Sequence, residues 1–523
     1  MRCPVPRGVW WEGFRSIQEG SCRSILADMS FILAISDLVG AGLSVQTEGS
    51  GVFPRSLSSY GDESMSSILE IIQHRISVEP LNLVATGIFL IAIIHTFCAP
   101  LLLRLAKRLE ERHHLQWLAS EESLQEDAEE PVSFLGVFMH YLGEIEAVFG
   151  FWAIPLLGIF AISKGWEPAK YFLEYSVHFN EAVFVVVVMA IASTQPILYL
   201  GERLLSAVSR LTGGSPASWW FGILTFGPVL GSFITEPAAM TICALLLGQH
   251  FFRYRPSKRL AYATVALLFS NISLGGVLTN FAAPPVLMVA GTWGWDLSFM
   301  VTHFGLRAVG AVFLTTSIYY FLLRRELATM ELKVSEFDAE HPVHEKSVPP
   351  AVIAGNLLFL AWTVTHAQSS RLVIIGFLFF LAFVDATRHF QRAVSLRAPL
   401  LVGFFLAGLI IHGAFQTWWL EPMLQRIEGA PLFFTSLGLS ALNDNAAITY
   451  LASLVPDTSP DMRYFVTAGA LCGGGLTIIA NAPNPVGNSL LARFFDGGVS
   501  QAQLLLAALV PVLVNILFFL VLS

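Results

Sequence analysis

The stretch 443-NDNAAIT-449 sets a carboxylate in the middle of an apolar run, and 235-TEPAAMT-241 repeats the pattern with Glu in place of Asp. Each is flanked by a pair of apolar runs, 217–234 with 237–249 and 431–442 with 446–456. These runs are short of the roughly 20 residues that a membrane span needs. Two half-length helices meeting at a polar tip make a re-entrant hairpin, tolerated at membrane depth only where protein or water surrounds it. The segments after the hairpins repeat too: 275-GGVLTNFAAPPV-286 and 474-GGLTIIANAPNPV-486 both pair glycines with Leu-Thr and end in prolines. Glycine and proline inside a long apolar run free backbone groups that a continuous helix would pair. Each run is therefore expected to be a broken transmembrane helix.

Composition sets the same frame. Of 523 residues, 54% are hydrophobic and 13% charged, against about 25% charged in soluble domains, which places the chain in the bilayer. The net charge of −8 gives no basic footprint for nucleic acid. The cysteines Cys3, Cys22, Cys98, Cys243 and Cys472 form no C-x-x-C or Cys/His cluster, so neither a disulfide frame nor a structural zinc site is indicated.

About ten apolar runs can span: 81–103, 133–163, 177–199, 260–290, 300–323, 349–367, 371–387, 397–413, 464–495 and 502–522. With the 104–132 loop on the cytoplasmic side, Arg104, Lys107, Arg108, Arg203, Arg210, Arg253, Arg255, Lys258, Arg259, Arg324, Arg325, Arg388 and Arg392 fall on that side. Lys164, Lys170, Arg371, Arg426 and Arg463 fall on the other, in agreement with the positive-inside rule. The hairpins 217–249 and 431–456 then enter from opposite faces. The expected fold is an all-α polytopic membrane protein, an inverted repeat with two re-entrant hairpins and two broken helices. Its parts are a first helix and charged loop (65–132), a first repeat (133–323), a linker with an extra helix (324–370) and a second repeat (371–523). Residues 1–64, Ser/Gly-rich from 46 and with Asp28 and Asp37 inside an apolar stretch, are expected to be poorly ordered or an over-long start.

A buried carboxylate is costly unless it is paired or coordinates a cation. Capping of the second hairpin helix accounts for an acid at its start, but not for the hairpin. Each half offers oxygens for a monovalent cation: Thr235, Glu236 and Thr241 with the carbonyls of Gly275, Gly276, Thr279 and Asn280; then Asn443, Asp444, Asn445, Thr449 and Asn481 with those of Gly473, Gly474, Gly475 and Thr477. Unwound carbonyls and half-helix ends are where transporters of this construction hold cations. The second set is the richer in ligands. Elsewhere in the spans, Glu144 and Glu146 are two apart and cannot share a helix face, so one of them faces the interior. Glu144, Glu181 and Arg307 are candidates for a proton or charge relay, with Arg307 expected to pair with an acid, Glu236 being the sharper option. The run 121-EESLQEDAEE-130 reads as a solvated loop.

The Asp-Asn tip followed by a glycine-rich, proline-ended broken helix resembles the ion transporter superfamily, which includes divalent anion/sodium symporters and arsenite-pump-like proteins. Within it, 176-SVHFNEAVFVVVVMAIASTQPI-197 and 231-GSFITEPAAMT-241 look most like a bacterial family of sodium/proton antiporters. The resemblance covers about 80–522. It implies a scaffold and a moving transport unit, a homodimer in a bacterial inner membrane, and ion sites at both tips. The symporters carry Ser-Asn-Thr at their tips. Here 235-TEP-237 and 443-NDN-445 add an acid to each, and that charge would repel a dicarboxylate.

The expected function is secondary exchange of sodium or lithium for protons, since a carboxylate can hold a proton or a cation but not both. No cofactor is expected; sodium is cargo. No G-x-x-x-x-G-K-[ST] loop marks a nucleotide-driven pump, and no H-E-x-x-H or G-x-S-x-G marks an enzyme. A sodium-coupled symporter or exporter of a small organic or inorganic anion stays open, because half-helix N-termini can bind anions. Cation preference, stoichiometry, and whether one or both tips bind ions are open at this level.

Overall fold

The computed structural model describes residues 53–119, 132–211, 213–337, 348–495 and 498–522, with the side chains of 331–337 left out. Among them every regular element is a helix. Seven helices are long and apolar enough to cross a membrane, or eight when the bent pair Trp166–Ser176 and Asn180–Ala192, kinked by 59°, is taken as one span. The protein is thus an integral, multi-pass membrane protein. Each apolar run seen in the sequence holds a helix, but several are short or interrupted. Pro350–Thr365 has 16 residues and Ser370–Ala386 has 17, while the 133–163 run divides into Phe134–Gly143, a 3-10 turn Ile145–Ala147 and Val148–Lys164.

Both broken helices are present. In the first, Lys258–Gly275 passes into a 3-10 turn, Gly276–Leu278, then an extended stretch, and resumes at Pro284–Trp293. In the second, Pro460–Gly473 gives way to non-helical backbone until Asn484–Leu491. Proline opens or precedes the resumed segment, where its missing N–H costs nothing. Lys258–Gly275 is the centre of the molecule, buried along its apolar length.

The hairpins are Pro216–Ile234 with Glu236–His250, and Gly429–Leu442 with Asn445–Ser453. The expectation that every arm is too short to span is corrected for the first: Pro216–Ile234, with 19 residues, is one of the seven helices long and apolar enough to cross. The packing of the hairpins is reciprocal. Each first arm lies on the first segment of its own half's broken helix: Pro216–Ile234 on Lys258–Gly275, and Gly429–Leu442 on Pro460–Gly473. Each second arm crosses to the other half: Glu236–His250 packs on Asn484–Leu491, and Asn445–Ser453 on Pro284–Trp293. Both tips therefore meet at one centre.

The expectation for residues 1–64 falls outside the described residues up to 52, as does that for the acidic 121–130 run. From residue 53 onward it is corrected: this segment is folded. Phe53 is buried, with its ring 5.3 Å from Phe160 and 5.1 Å from Phe415. Arg75, 4% exposed, ion-pairs with Asp62, reaches Glu421 at 2.9 Å and donates to the Trp418 carbonyl at 2.8 Å. Glu79 pairs with Lys164 at 2.7 Å. The polar character that reads as a loose tail is the means of attachment.

Replacing one member of a buried ion cluster strands the others at a cost of about 3 kcal/mol. Arg75→Ala should lower the melting temperature of the detergent-purified protein accordingly, and Arg75→Lys should recover part of the loss.

Candidate functional site

The tips are held by matching backbone contacts, and these contacts set the equivalence of the halves. The Glu236 amide donates to the Ala282 carbonyl at 3.3 Å, and the Asn445 amide to the Ala480 carbonyl at 3.0 Å. The Thr279 hydroxyl donates to the Ser232 carbonyl at 2.7 Å, and that of Thr477 to the Ala441 carbonyl at 2.8 Å. A Cβ on Gly276 would come within 2.6 Å of the Glu236 side chain, and one on Gly474 within 2.8 Å of the Asn445 amide. All three pairs align Glu236 with Asn445, not with Asp444. The residue-for-residue match of 235-TEPAAMT-241 to 443-NDNAAIT-449 is therefore corrected by one position. Asp444 is the counterpart of Thr235, because the second tip spends one more residue before its helix begins.

That shift gives the carboxylates different work. Glu236 is fully enclosed, and its Oε2 accepts from the Asn481 Nδ2 of the other half at 3.0 Å. Asn445 also reaches across, its Nδ2 lying 3.4 Å from the Ser273 Oγ. Asp444 stays at home: its Oδ1 accepts from the Ala446 amide at 2.8 Å, an N-cap of the kind expected at a helix start. Thr235 takes φ 80°, a left-handed backbone that a β-branched residue rarely adopts and that occurs mainly at functional sites.

Beside Asp444 lies a cavity of about 20 Å³, lined by Thr96, Glu146, Asn443, Asp444 and Asn481 among apolar neighbours that include Phe405. A water needs about 10–15 Å³ by this measure, so the space suits a single water-sized particle. No basic residue lines it. Several fully buried side-chain atoms around the centre have no hydrogen-bond partner: Thr235 Oγ1, Glu236 Oε1, Asn445 Oδ1 and Asn481 Oδ1. Buried polar atoms are normally satisfied; of these four, the Asn481 oxygen belongs to a residue that lines the cavity, and oxygen is the ligand type a hard cation takes.

The remaining candidates sort as follows. Thr241 and Thr449 donate to carbonyls of their own helices. Asn280 donates to the Trp295 carbonyl at 3.0 Å. The Gly275 carbonyl accepts from Ser232 at 2.5 Å, and Asn484 donates to the carbonyls of Gly474 at 2.8 Å and Thr477 at 2.9 Å. These unwound carbonyls thus already have protein partners. Gly275, Gly473 and Gly475 serve close approach: an added Cβ would lie 2.2 Å from the Pro228 carbonyl carbon, 2.4 Å from the Leu437 oxygen and 2.4 Å from the Ser270 Cα. Glu181 stands in the first turn of Asn180–Ala192 and does not line the Asp444 cavity.

Two expectations are corrected. Arg307 does not pair with Glu236; it donates to the His303 carbonyl one turn back and lies 5.5 Å over the Tyr464 ring. Glu144 faces outward, held by Arg397 at 2.9 Å and His140 at 3.5 Å, and its neighbour Glu146 lines the cavity. Helical spacing could say that the two part company, not which turns inward, because they fall in a 3-10 interruption.

A multi-pass membrane protein with two docked re-entrant hairpins and buried carboxylates at their meeting point is built as a secondary transporter. The chain belongs to the Na+/H+ antiporter family whose model, described as "Putative Na+/H+ antiporter", matches residues 80–522. Comparison with curated proteins finds no match. Among solved structures, the YdaH transporter of Alcanivorax borkumensis, reported to have an unusual topology, aligns at 14% identity with a TM-score of 0.36 over 82% of this chain and 97% of that one.

The glycine contacts test the one-residue correction. Gly275→Ala and Gly473→Ala press on equivalent backbone and should each destabilise by about 1–3 kcal/mol, read as loss of thermal stability in detergent. Gly438→Ala, with nothing within 4 Å of the new Cβ, should be neutral to within about 0.5 kcal/mol.

Proposed function

We propose that the chain exchanges sodium or lithium for protons, cation and proton competing for Asp444 at the second hairpin tip. The observation that carries this reading is the cavity itself. It has room for one small particle, a nearly buried carboxylate in its wall, an unpartnered asparagine oxygen beside it and no basic side chain to neutralise the charge. A proton on Asp444 or a cation beside it each removes one negative charge from a site whose wall also holds Glu146. Either loaded form is cheaper to carry past apolar surface than the bare carboxylate. Glu236 is the partner at the first tip. Its bond to Asn481, which also lines the cavity, ties it to whatever Asp444 holds. Family membership supports exchange of sodium and protons in general; the assignment to Asp444, a homodimer and a bacterial inner membrane belong to this proposal.

The test is proton movement in sealed vesicles on addition of sodium, lithium or potassium. Wild type should dissipate an imposed pH gradient with sodium or lithium. Asp444→Asn should fall to background, whereas Glu236→Gln, which keeps an acceptor for Asn481, should slow exchange without abolishing it. A folded wild type silent to every cation would end the exchange reading.

A further inference from the structure

The Asp444 cavity has a second carboxylate in its wall, and it comes from a part of the chain remote from either hairpin. Glu146 sits in the 3-10 turn Ile145–Ala147, between Phe134–Gly143 and Val148–Lys164. That turn packs on Arg397–Ala414, the helix that contributes Val402 and Phe405 to the same cavity. The position is rigidly set. Val148–Lys164 and Arg397–Ala414 cross so closely that a Cβ on Gly408 would lie 2.3 Å from the Gly150 amide nitrogen. Only glycine permits that approach, four residues from Glu146. The nearest arginine of that helix, Arg397, is engaged by Glu144 at the exposed end, so it does not neutralise the cavity.

We propose that Glu146 is a direct ligand of the transported cation, which it shares with Asp444. The inference rests on the exchange reading above and adds to it a residue outside the inverted repeat's tip motifs. The chemistry is that of a small hard cation, which takes several oxygens at once. Asp444 accepts from the Ala446 amide through Oδ1, and its carboxylate borders the cavity. Asn481, fully buried, lines the cavity and has an Oδ1 with no protein partner. Thr96 donates to the Ala92 carbonyl at 3.2 Å, which leaves its hydroxyl lone pairs free to face an ion. Glu146 completes the set with a second carboxylate. Two carboxylates facing a space for one particle, with no basic residue in its lining, repel each other unless a cation or proton lies between them.

The experiment is sodium-dependent thermal stabilisation of the purified, detergent-solubilised full chain, which reports binding to the folded state independently of transport. Wild type, Glu146→Gln, Glu146→Asp and Glu144→Gln are compared across a sodium series, with choline chloride holding ionic strength. Glu146→Gln should raise the half-maximal sodium concentration about tenfold or more, and in vesicles raise the apparent KM for sodium more than it lowers the maximal rate. Glu146→Asp should fall between the two, and Glu144→Gln should match wild type. A Glu146→Gln midpoint equal to wild type overturns the proposal while exchange at Asp444 stands. Should Glu146→Gln not fold, Glu146→Asp decides: a raised midpoint supports the ligand role and an unmoved one removes it. A wild type neither stabilised by sodium nor active in vesicles removes the exchange reading, and this proposal with it.

Discussion

A helix that ends partway across a bilayer leaves amide and carbonyl groups with nothing to bind, and hydrocarbon offers no water to take their place. Both hairpins and both broken helices of this protein create such ends, and the structure answers each with another. The tip amides of Glu236 and Asn445 go to carbonyls of the unwound segments. Hydroxyls of Thr279 and Thr477 return the favour to the hairpins. Asn484 takes two more freed carbonyls. The mutual satisfaction of four interrupted helices is what allows polar residues to gather at the centre of an apolar molecule.

The centre that results is polar by construction and charged by choice. Backbone needs alone would be met by asparagine, serine and threonine. Glu236, Asp444 and Glu146 go beyond that. They come from three separate stretches of chain, and Asn481 touches the surroundings of all three: it binds Glu236 and borders the space beside Asp444 and Glu146. A single amide therefore connects the enclosed carboxylate of one half with the cavity of the other.

The hairpins, the breaks and the reciprocal halves were legible because glycine, proline and an isolated acid are conspicuous in apolar sequence. The register between the halves was not. The run Ala-Ala-x-Thr recurs in both tips and draws the eye to an alignment that is off by one, since sequence likeness follows side chains while equivalence follows backbone contacts. Ser273, opposite Asn445, gave no sign, being a small residue inside a long helix. Glu146 and Glu144 were indistinguishable by helical spacing because the helix is interrupted at that point. The attachment of residues 53–79 was hidden for another reason: Arg75 meets Glu421 across 346 positions, and nothing local announces such a pair.

Thr235 carries a further consequence. Two halves of identical sequence would give states that swap their roles equal energy. These halves differ at their meeting point, one tip turning through a backbone angle that threonine disfavours and the other through an ordinary extended one. Such an angle stores about 1–3 kcal/mol, held here by the packing around the first tip. The two tips are therefore unequal in backbone as well as in side chain, and the near-symmetry of the halves does not extend to the place where they meet.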